Sequence, residues 1–357
     1  MRIGIYDPYL DDLGGGEKYM MGIAECLSQN HDVTVFWDEK KDLEKLEQRF
    51  SLNLTSIKIE KNIFSPKVSL TTRLFATQKY DVIVMLIDGS IPVVASKKLF
   101  LHIQQPLSGV SASSIKSKLK LARVRSIFYN STFTKEFNDK IFKNVKSSVI
   151  YPPVEVNLKE IMKENIIMHV GRFRVINVRN EDYKKQQLMV SVFKKMVDRG
   201  LKNWKFVLAT SINNENEPKF AEMIKSAKGY PVEFLVNKNN KELWDSYNKA
   251  KIYWHASGYG EDLDVYPEYA EHFGISTVEA MGAGAVPVVI DAGGQREIVQ
   301  NGKNGYLWNS LDELMENTNK LIDNKDLWQK LSGRAKEKAK DYSHERFCES
   351  INALIKS

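Results

Sequence analysis

Residues 271–290 read EHFGISTVEAMGAGAVPVVI. The first part predicts a turn and then a helix near Thr277–Gly282. The last five residues, Val286–Ile290, predict a fully buried strand. The small residues between them allow helix and strand to pack closely. A helix that runs directly into a buried strand is typical of a parallel sheet with crossover helices.

The same alternation extends through the whole chain. Strands are predicted near Ile3–Tyr6, Val33–Trp37, Ser56–Ile59, Val82–Leu86, Leu99–Gln104, Ile127–Asn130 and Val149–Tyr151, and in a second series near Ile166–Val170, Lys205–Ala209, Val232–Val236, Ile252–His255 and Val286–Ile290. In the second series, helices are predicted near Lys185–Val197, Pro218–Ala227, Lys241–Lys251 and Thr277–Gly282. The double proline Pro152-Pro153 suits a linker between the two series.

We therefore predict an α/β protein of two doubly wound, Rossmann-like domains, residues 1–152 and 153–340. Residues 341–357 are expected to form a C-terminal helix that packs on the first domain. Ligands of such sheets bind at the carboxyl ends of the strands, so the expected site is a cleft between the domains.

Composition limits the class of protein. The chain has 357 residues, of which 43% are hydrophobic and 27% charged, as in soluble globular proteins. Since no apolar run approaches the roughly 20 residues of a membrane span and the first residues predict a strand, we expect a cytoplasmic protein. The two cysteines, Cys26 and Cys348, lie near opposite ends of the chain, and we expect both to be buried and unlinked rather than part of a disulfide or zinc site.

Positive charge is concentrated in one region. Residues 61–150 contain fifteen Lys and Arg against four Asp and Glu, a local balance of +11, whereas the rest of the chain sums to −4. The densest run, residues 115–125, places Ile115, Leu119 and Ala122 at helical spacing between cations. It predicts either a basic amphipathic helix lying on anionic lipid or a solvated surface helix.

Two stretches have the composition of an anion site. Gly14-Gly15-Gly16 opens the first helix, where backbone amides can approach a phosphate or simply form a flexible turn. Arg172 ends a strand, and Lys184 begins the next helix, so that both cations can neutralise a diphosphate. Lys185 competes with Lys184 for this role.

The stretch around Phe273 and Gly274 adds sugar-binding groups. The amides of Ile275 and Ser276 at the helix start would point at an anion. Glu271 and Glu279 can accept hydrogen bonds from hydroxyls of a sugar or ribose. This pattern predicts a site for a polyol diphosphate.

The order of these motifs resembles that of the retaining glycosyltransferases of family 4. The resemblance rests on Gly14–Glu17, on Gly171-Arg172 with Lys184, and on Glu271 and Glu279 followed by Pro287. It implies a GT-B fold, no cofactor and no required metal. It also implies that Arg172 and Lys184 bind the donor diphosphate, Glu279 the ribose and Glu271 the transferred sugar. The remaining residues predicted for catalysis or donor binding are Gly15, Gly16, His102, Val236, Phe273, Gly274, Ile275 and Ser276.

Without the resemblance, His102 is interpreted as a structural histidine. The family's usual Glu-Gly-Phe-Gly is here Glu271 to Gly274 with His272 in second place, and the loop Arg174–Tyr183 is longer and more polar than usual. This motif, together with Trp254–Gly258, is similar to the corresponding sequence in the branch of mannosyltransferases that extend lipid-linked oligosaccharides. It favours GDP-mannose as donor, then a UDP-sugar, and a glycan or lipid-linked sugar as acceptor. We expect no nucleic-acid partner and a peripheral site on the inner face of an anionic membrane.

Two other functions stay open on sequence grounds. A glycosidase could use Glu271 and Glu279 as its two carboxyls. A nonenzymatic protein could bind polyanions through its basic region. Asp262 and Asp264 resemble a metal-binding pair but are more simply interpreted as part of a solvated loop or lid.

Overall fold

The computed structural model of the chain describes residues 1–12, 14–156, 161–176 and 181–357. It divides into two compact units. Unit 1 contains Met1–Pro153 together with His344–Ser357, and unit 2 contains Val154–Ser343. Each unit is built on one parallel sheet with crossover helices, which confirms the predicted α/β class.

Unit 1 has a seven-stranded sheet of order β3-β2-β1-β4-β5-β6-β7. Its elements are β1 (Arg2–Tyr6), α1 (Gly15–Ser28), β2 (Asp32–Phe36), α2 (Lys40–Phe50), β3 (Lys58–Glu60), α3 (Leu70–Thr77), β4 (Val82–Leu86), β5 (Lys98–Ile103), α4 (Ile115–Leu121), β6 (Val124–Tyr129), α5 (Thr132–Asn138) and β7 (Ser147–Val149). The strand order reverses between β1 and β4, so the loops after these strands border the crevice where doubly wound sheets bind ligands.

Unit 2 has a six-stranded sheet of order β12-β11-β8-β13-β14-β15, and its order reverses between β8 and β13. Its elements are β8 (Glu164–Arg172), β9 (Val175–Ile176), β10 (Glu181–Asp182), α6 (Gln186–Asp198), β11 (Lys205–Ser211), α7 (Glu217–Ser226), β12 (Val232–Val236), α8 (Asn240–Lys249), β13 (Ala250–His255), α9 (Ile275–Gly282), β14 (Val286–Ile290), α10 (Gln295–Ile298), β15 (Tyr306–Trp308), α11 (Leu311–Asp323) and α12 (Lys325–Ala339). The strands β9 and β10 form an antiparallel hairpin.

The last helix, α13 (His344–Lys356), packs on α1 within unit 1. Its buried side chains Phe347, Ile351 and Ile355 belong to the same hydrophobic cluster as the inner face of α1. The Phe347 ring meets the Tyr19 ring edge to face, with ring centres 5.0 Å apart. Unit 1 is therefore completed by the far end of the chain. Among the described residues, no helix combines the length and the apolarity needed to cross a membrane.

The expectation for the cysteines was wrong. Cys26 on α1 and Cys348 on α13 form a disulfide, with their Cα atoms 5.2 Å apart. Residue spacing suggested that the two were unrelated, because 322 positions separate them. The packing of α13 on α1 brings them together, and nothing in the local sequence encodes that contact.

Three smaller expectations also need correction. The basic run does not form one helix, because α4 ends at Leu121 and Val124 already belongs to β6. The loop Arg174–Tyr183 contains the β9–β10 hairpin, which the sequence did not predict, and its residues 177–180 lie outside the described residues. The short edge strand β15 was not predicted either.

The docking of α13 gives a stability prediction. Replacing Phe347, which is 3% exposed, with Ala should lower the free energy of unfolding by about 3–5 kcal/mol, because it removes a large buried ring from the core of unit 1. The exposed Glu349 on the same helix is the control, and Glu349→Ala should change little. Urea unfolding of both variants measures the difference. Equal stability of the two would show that α13 contributes no core packing.

Candidate active site

The candidate site lies at the point in unit 2 where the strand order reverses. The parallel neighbours β8 and β13 end at Arg172 and His255. The segment that contains Glu271 follows β13, and Lys184 follows the β9–β10 hairpin. Because parallel strands end at the same edge of a sheet, this topology gathers polar residues that are far apart in sequence.

Glu271 is the centre of the site. Its Oε2 atom accepts a hydrogen bond from Lys184 Nζ at 2.7 Å and another from His255 Nε2 at 2.7 Å. Burial alone would raise the pKa of this carboxyl, but the Lys184 ammonium and the His255 hydrogen bond outweigh it. They hold the pKa of Glu271 well below its usual range. Glu271 is therefore a carboxylate with a fixed orientation.

His255 is neutral in this arrangement. Burial lowers the pKa of its imidazole more than the neighbouring carboxylate raises it. Since a carboxylate can only accept, the ring proton lies on Nε2 and Nδ1 is unprotonated. Within the described part of the structure, Nδ1 is buried and has no hydrogen-bond partner. Behind it lies the fully buried His169, whose ring centre is 5.7 Å from that of His255 and whose pKa burial lowers to about 3.

The backbone of the Glu271 segment is held by two glycines in the loop after β14. Gly294 N–H donates to the carbonyl oxygen of Glu271 at 2.8 Å. A Cβ atom on Gly293, whose φ is +56°, would lie too close to the same carbonyl oxygen, and one on Gly294 would lie 2.5 Å from the His272 carbonyl oxygen. Only glycine permits this approach. The close contact with this loop thereby fixes the position of the Glu271 backbone at the edge of the sheet.

The structure separates the two competing lysines. Lys184 pairs with Glu271, whereas Lys185 Nζ forms an ion pair with Glu261 at 2.7 Å, where the two side chains are 10% and 2% exposed. Lys185 thus attaches the segment after β13 to the start of α6. Asp182 completes this corner, because its carboxylate accepts from the N–H groups at the start of α6, with the Gln186 bond at 2.6 Å.

Helix α9 begins beside this cluster. Gly274, with φ of +118°, turns the chain into the helix, and the first-turn N–H groups of Ile275 and Ser276 have no acceptor within the helix. The Ser276 and Tyr253 hydroxyls hydrogen-bond at 2.8 Å, which ties the first turn to β13. The positive end of α9 and two oriented N–H groups are therefore available to an anion.

Glu279 lies one turn further along α9. Its Oε2 atom accepts from the hydroxyl of Tyr247, a fully buried residue on α8, at 2.9 Å. This bond orients the carboxylate, and its second oxygen has its own acceptor capacity.

The other residues predicted for the site in unit 2 lie at the following positions. Arg172 ends β8 with an exposed side chain, next to Gly171, where an added Cβ would lie 3.5 Å from Lys184 Cγ. Phe273 is 3% exposed and packs on Tyr342, so it supports the turn from beneath. Val236 is the last residue of β12, beyond β11 from β8.

Three predicted residues belong to unit 1. Gly15 and Gly16 are the first residues of α1, and an added Cβ on Gly16 would lie 2.6 Å from Oε1 of Gln104, the movable end of a flexible side chain, so packing alone does not require glycine there. His102 on β5 is fully buried, stacked on Tyr19 with ring centres 4.1 Å apart, and burial lowers its pKa to about 3. This position favours the structural interpretation of His102.

Sequence reasoning gave no role to several residues of the site. His255, Tyr247, Gly293 and Gly294 act by contact with Glu271 or Glu279 from other elements, and only the position of His255 at the end of a strand signalled it. Apart from this site, sequence reasoning also gave no role to Asp7 of unit 1, which directly follows β1 and is fully buried, so that burial raises its pKa to about 7. Its position after β1, where the strand order of unit 1 reverses, is the sequence signal that could have identified it.

The predicted Asp262 and Asp264 pair forms a turn. Asp262 Oδ1 accepts from the N–H groups of Asp264 and Val265 at 3.2 and 3.3 Å. These bonds stabilise the turn itself, which favours the loop interpretation.

The family is shown by comparison with known proteins. The sequence profile of the family described as glycosyl transferases group 1 matches residues 155–341, more than half of the chain. The chain belongs to this family and is a glycosyltransferase.

Two relatives illustrate the similarity. The alpha-1,3/1,6-mannosyltransferase ALG2 of Dictyostelium discoideum is 24% identical over 424 aligned positions, which cover 100% of this chain and 98% of that protein. The GDP-Man:Man(3)GlcNAc(2)-PP-Dol alpha-1,2-mannosyltransferase of Xenopus tropicalis is 29% identical over 202 positions, 52% of this chain and 38% of that protein. The chain thus spans less than half the length of this second relative.

Solved structures show the same fold. Anabaena HepE, crystallised with UDP, superposes with a TM-score of 0.77 at 17% identity over 100% of both chains. The sucrose-phosphate synthase of Thermosynechococcus elongatus has a TM-score of 0.69 at 13% identity, covering 100% of this chain and 98% of that one. They confirm the predicted GT-B fold.

The charge state of Glu271 gives a prediction for pH dependence. Its folded-state pKa lies below the ordinary 4.5, so ionised Glu271 stabilises the folded chain above that pH and this contribution is lost as pH falls toward the folded pKa. Glu271→Gln should therefore be less stable than wild type at pH 7, and the difference should shrink as the pH falls below 4.5. Chemical denaturation across this range measures it, with the exposed Glu316→Gln as control. A difference independent of pH would contradict the assigned ionisation.

Proposed function

We propose that this glycosyltransferase moves a hexose from a nucleoside-diphosphate sugar to a glycan or lipid-linked sugar with retention of anomeric configuration. GDP-mannose is the favoured donor, followed by a UDP-sugar. The observation that carries the proposal is the fixed Lys184, Glu271 and His255 cluster beside the start of α9, in a chain of this family. The names of the relatives, which include a GDP-Man-dependent mannosyltransferase, support mannose.

The donor diphosphate is assigned to Arg172, Lys184 and the amides of Ile275 and Ser276. A departing diphosphate gains negative charge as the glycosidic bond breaks. Lys184, held by Glu271, and the positive end of α9 are already oriented and stabilise that charge without rearrangement. Arg172 adds a second cation at the end of β8. Lys184 keeps Nζ protons for a phosphate oxygen while it pairs with Glu271.

The two carboxylates are assigned to hydroxyl groups of the donor. Glu271, ionised and held by His255, accepts from hydroxyls of the transferred sugar, and Glu279, held by Tyr247, accepts from the ribose. Val236, at the end of β12, is assigned to the base. Gly15, Gly16 and His102 in unit 1 remain predictions from the family resemblance.

Retention follows if the acceptor attacks from the face that the nucleotide leaves. The acceptor oxygen bonds to the anomeric carbon, the bond from that carbon to the phosphate oxygen breaks, and this phosphate oxygen takes the acceptor proton. Neither a side-chain nucleophile nor a metal ion enters this scheme. The chain's residues bind, orient and stabilise charge.

A glycosidase that uses Glu271 as its acid is disfavoured by the ionised state of this carboxyl. A glycosidase acid must hold a proton at working pH, which requires a raised pKa. Lys184 and His255 instead hold the pKa of Glu271 well below its usual range.

Substitutions in the donor site test the function. Arg172→Ala and Glu279→Ala should each lower the rate of mannose transfer from GDP-mannose by on the order of 100-fold or more, because each removes a side chain assigned to the donor. Arg174→Ala is the matched control, since Arg174 is also exposed and lies two residues from Arg172. Transfer is measured with Man(3)GlcNAc(2)-PP-dolichol, the acceptor named for a relative, and circular dichroism checks the fold. Unchanged turnover in either variant would contradict the role assigned to that residue in donor binding.

We also propose that unit 1 binds the surface of an anionic membrane. Ile115 and Leu119 on α4 are 79% and 69% exposed, between lysines of the +11 region, and Phe75 on α3 is 76% exposed. Exposed apolar side chains among cations suit the boundary between lipid head groups and acyl chains.

Liposome flotation tests this surface. Wild type should float with phosphatidylglycerol vesicles and not with phosphatidylcholine vesicles, and Ile115→Ser with Leu119→Ser should reduce flotation several-fold. Ser113→Ala and Ser117→Ala serve as a paired control on the same segment. No flotation with phosphatidylglycerol vesicles would support the solvated-helix alternative, and equal flotation with both lipids would contradict binding through the positive charge of this region.

A further inference from the structure

The contact between α1 and α13 contains a group of metal-ligand side chains that the glycosyltransferase site does not use. Cys26, His344 and Cys348 are, within the described ranges, the one set of three or more His, Cys, Asp or Glu whose ligand atoms all lie within 4.8 Å of one another. Glu25 lies beside them, with Oε2 3.6 Å from His344 Nε2. Two soft sulfur ligands, an imidazole and a carboxylate are a ligand set suited to Zn²⁺.

The distances around His344 fit a tetrahedral centre. His344 Nε2 lies 3.3 Å from Cys348 Sγ and 4.0 Å from Cys26 Sγ. Bonds of about 2.3 Å to sulfur and about 2.0 Å to nitrogen at tetrahedral angles place ligand nitrogen and sulfur about 3.5 Å apart. Glu25 Oε2 lies 3.6 Å from the same nitrogen but outside the set of three, so it must move toward the sulfurs to bind, or water takes the fourth position. The imidazole nitrogen therefore already lies near a ligand position relative to the two sulfurs.

The surrounding packing fixes these groups. His344 and Cys348 are four residues apart on α13 and so share one helix face, and Cys26 is fully buried on α1. Glu25 Oε1 accepts from the N–H of Asn53 at 2.7 Å, which leaves Oε2 directed at the imidazole. Docking of α13 on α1 thus brings together potential ligands from both ends of the chain.

We propose that Cys26, His344 and Cys348 form a redox-gated zinc site, with Glu25 or water as the fourth ligand. In the oxidised chain the two sulfurs are bonded to each other and cannot bind metal. In the reduced chain they need to separate only to about 3.8 Å, which rotation of the cysteine side chains supplies. Either bond then joins α13 to α1, so the last helix is fastened to unit 1 in both redox states.

The chemistry balances with a phosphine as reductant. The phosphine takes the oxygen of one water and becomes its oxide, the disulfide bond breaks, and the two sulfurs take up the two hydrogens of that water as thiols. Zn²⁺ binding then releases both thiol protons to solvent, while His344 binds through the lone pair of Nε2.

Cobalt substitution tests the site in the full chain. Tag-free wild type is reduced with tris(2-carboxyethyl)phosphine, freed of phosphine without air and titrated with Co²⁺. We expect one Co²⁺ per chain, a thiolate-to-cobalt absorption band, and displacement by one equivalent of Zn²⁺. Protein oxidised with diamide, with no free thiols by titration, should show no such band.

Variants locate the ligands. Cys348→Ser and His344→Ala should weaken Co²⁺ binding at least tenfold, whereas His31→Ala, which changes another histidine of unit 1, should leave it unchanged. If a site variant does not fold, the comparison of reduced with oxidised wild type still decides. Absence of the thiolate band in the reduced wild type, or an equal band in the oxidised protein, would overturn the proposal and leave the pair as a disulfide only.

Discussion

Glu271 must stay ionised at a place where water reaches only 18% of its side chain. Two charged groups taken out of water are costly unless their partners are well placed, and breaking such a pair from one side leaves an uncompensated charge. The positions of Lys184 and His255 are therefore constrained to within hydrogen-bond distance of one oxygen atom. The hairpin, the start of α6 and the end of β13 must all be arranged to meet that requirement.

The sheet topology and the loops satisfy this constraint by different means. The reversal between β8 and β13 sets Arg172 and His255 at one edge, and this follows from strand order alone. The position of the Glu271 backbone depends on contact with Gly293 and Gly294, where no side chain fits. Lys185 and Glu261 attach the segment after β13 to α6. Rigid elements thus position the cluster, and ionic contacts close the loops around it.

Periodicity and motif order predicted the sheets because hydrophobic alternation is a local property of the chain. Val82–Leu86, Val232–Val236 and Val286–Ile290 are observed with the predicted bounds. The contacts between side chains of the site could be predicted less well from the sequence. The competition between Lys184 and Lys185 depends on the left-handed turn at Lys185, with φ of +57°, and the Cys26 and Cys348 bond depends on docking of α13. Such long-range pairings are determined by tertiary packing, which one sequence does not display.

Binding of a nucleoside diphosphate by the Lys184 and Glu271 cluster is the central claim, and thermal unfolding with GDP, UDP or ADP in EDTA tests it most directly. A ligand of the folded state at 100 times its dissociation constant adds about 2.7 kcal/mol of stability. The account predicts that one nucleoside diphosphate, GDP first, raises the Tm of wild type and of Arg174→Ala but not of Lys184→Met. An equal rise in Lys184→Met, or no rise with any of the three nucleotides, would contradict it.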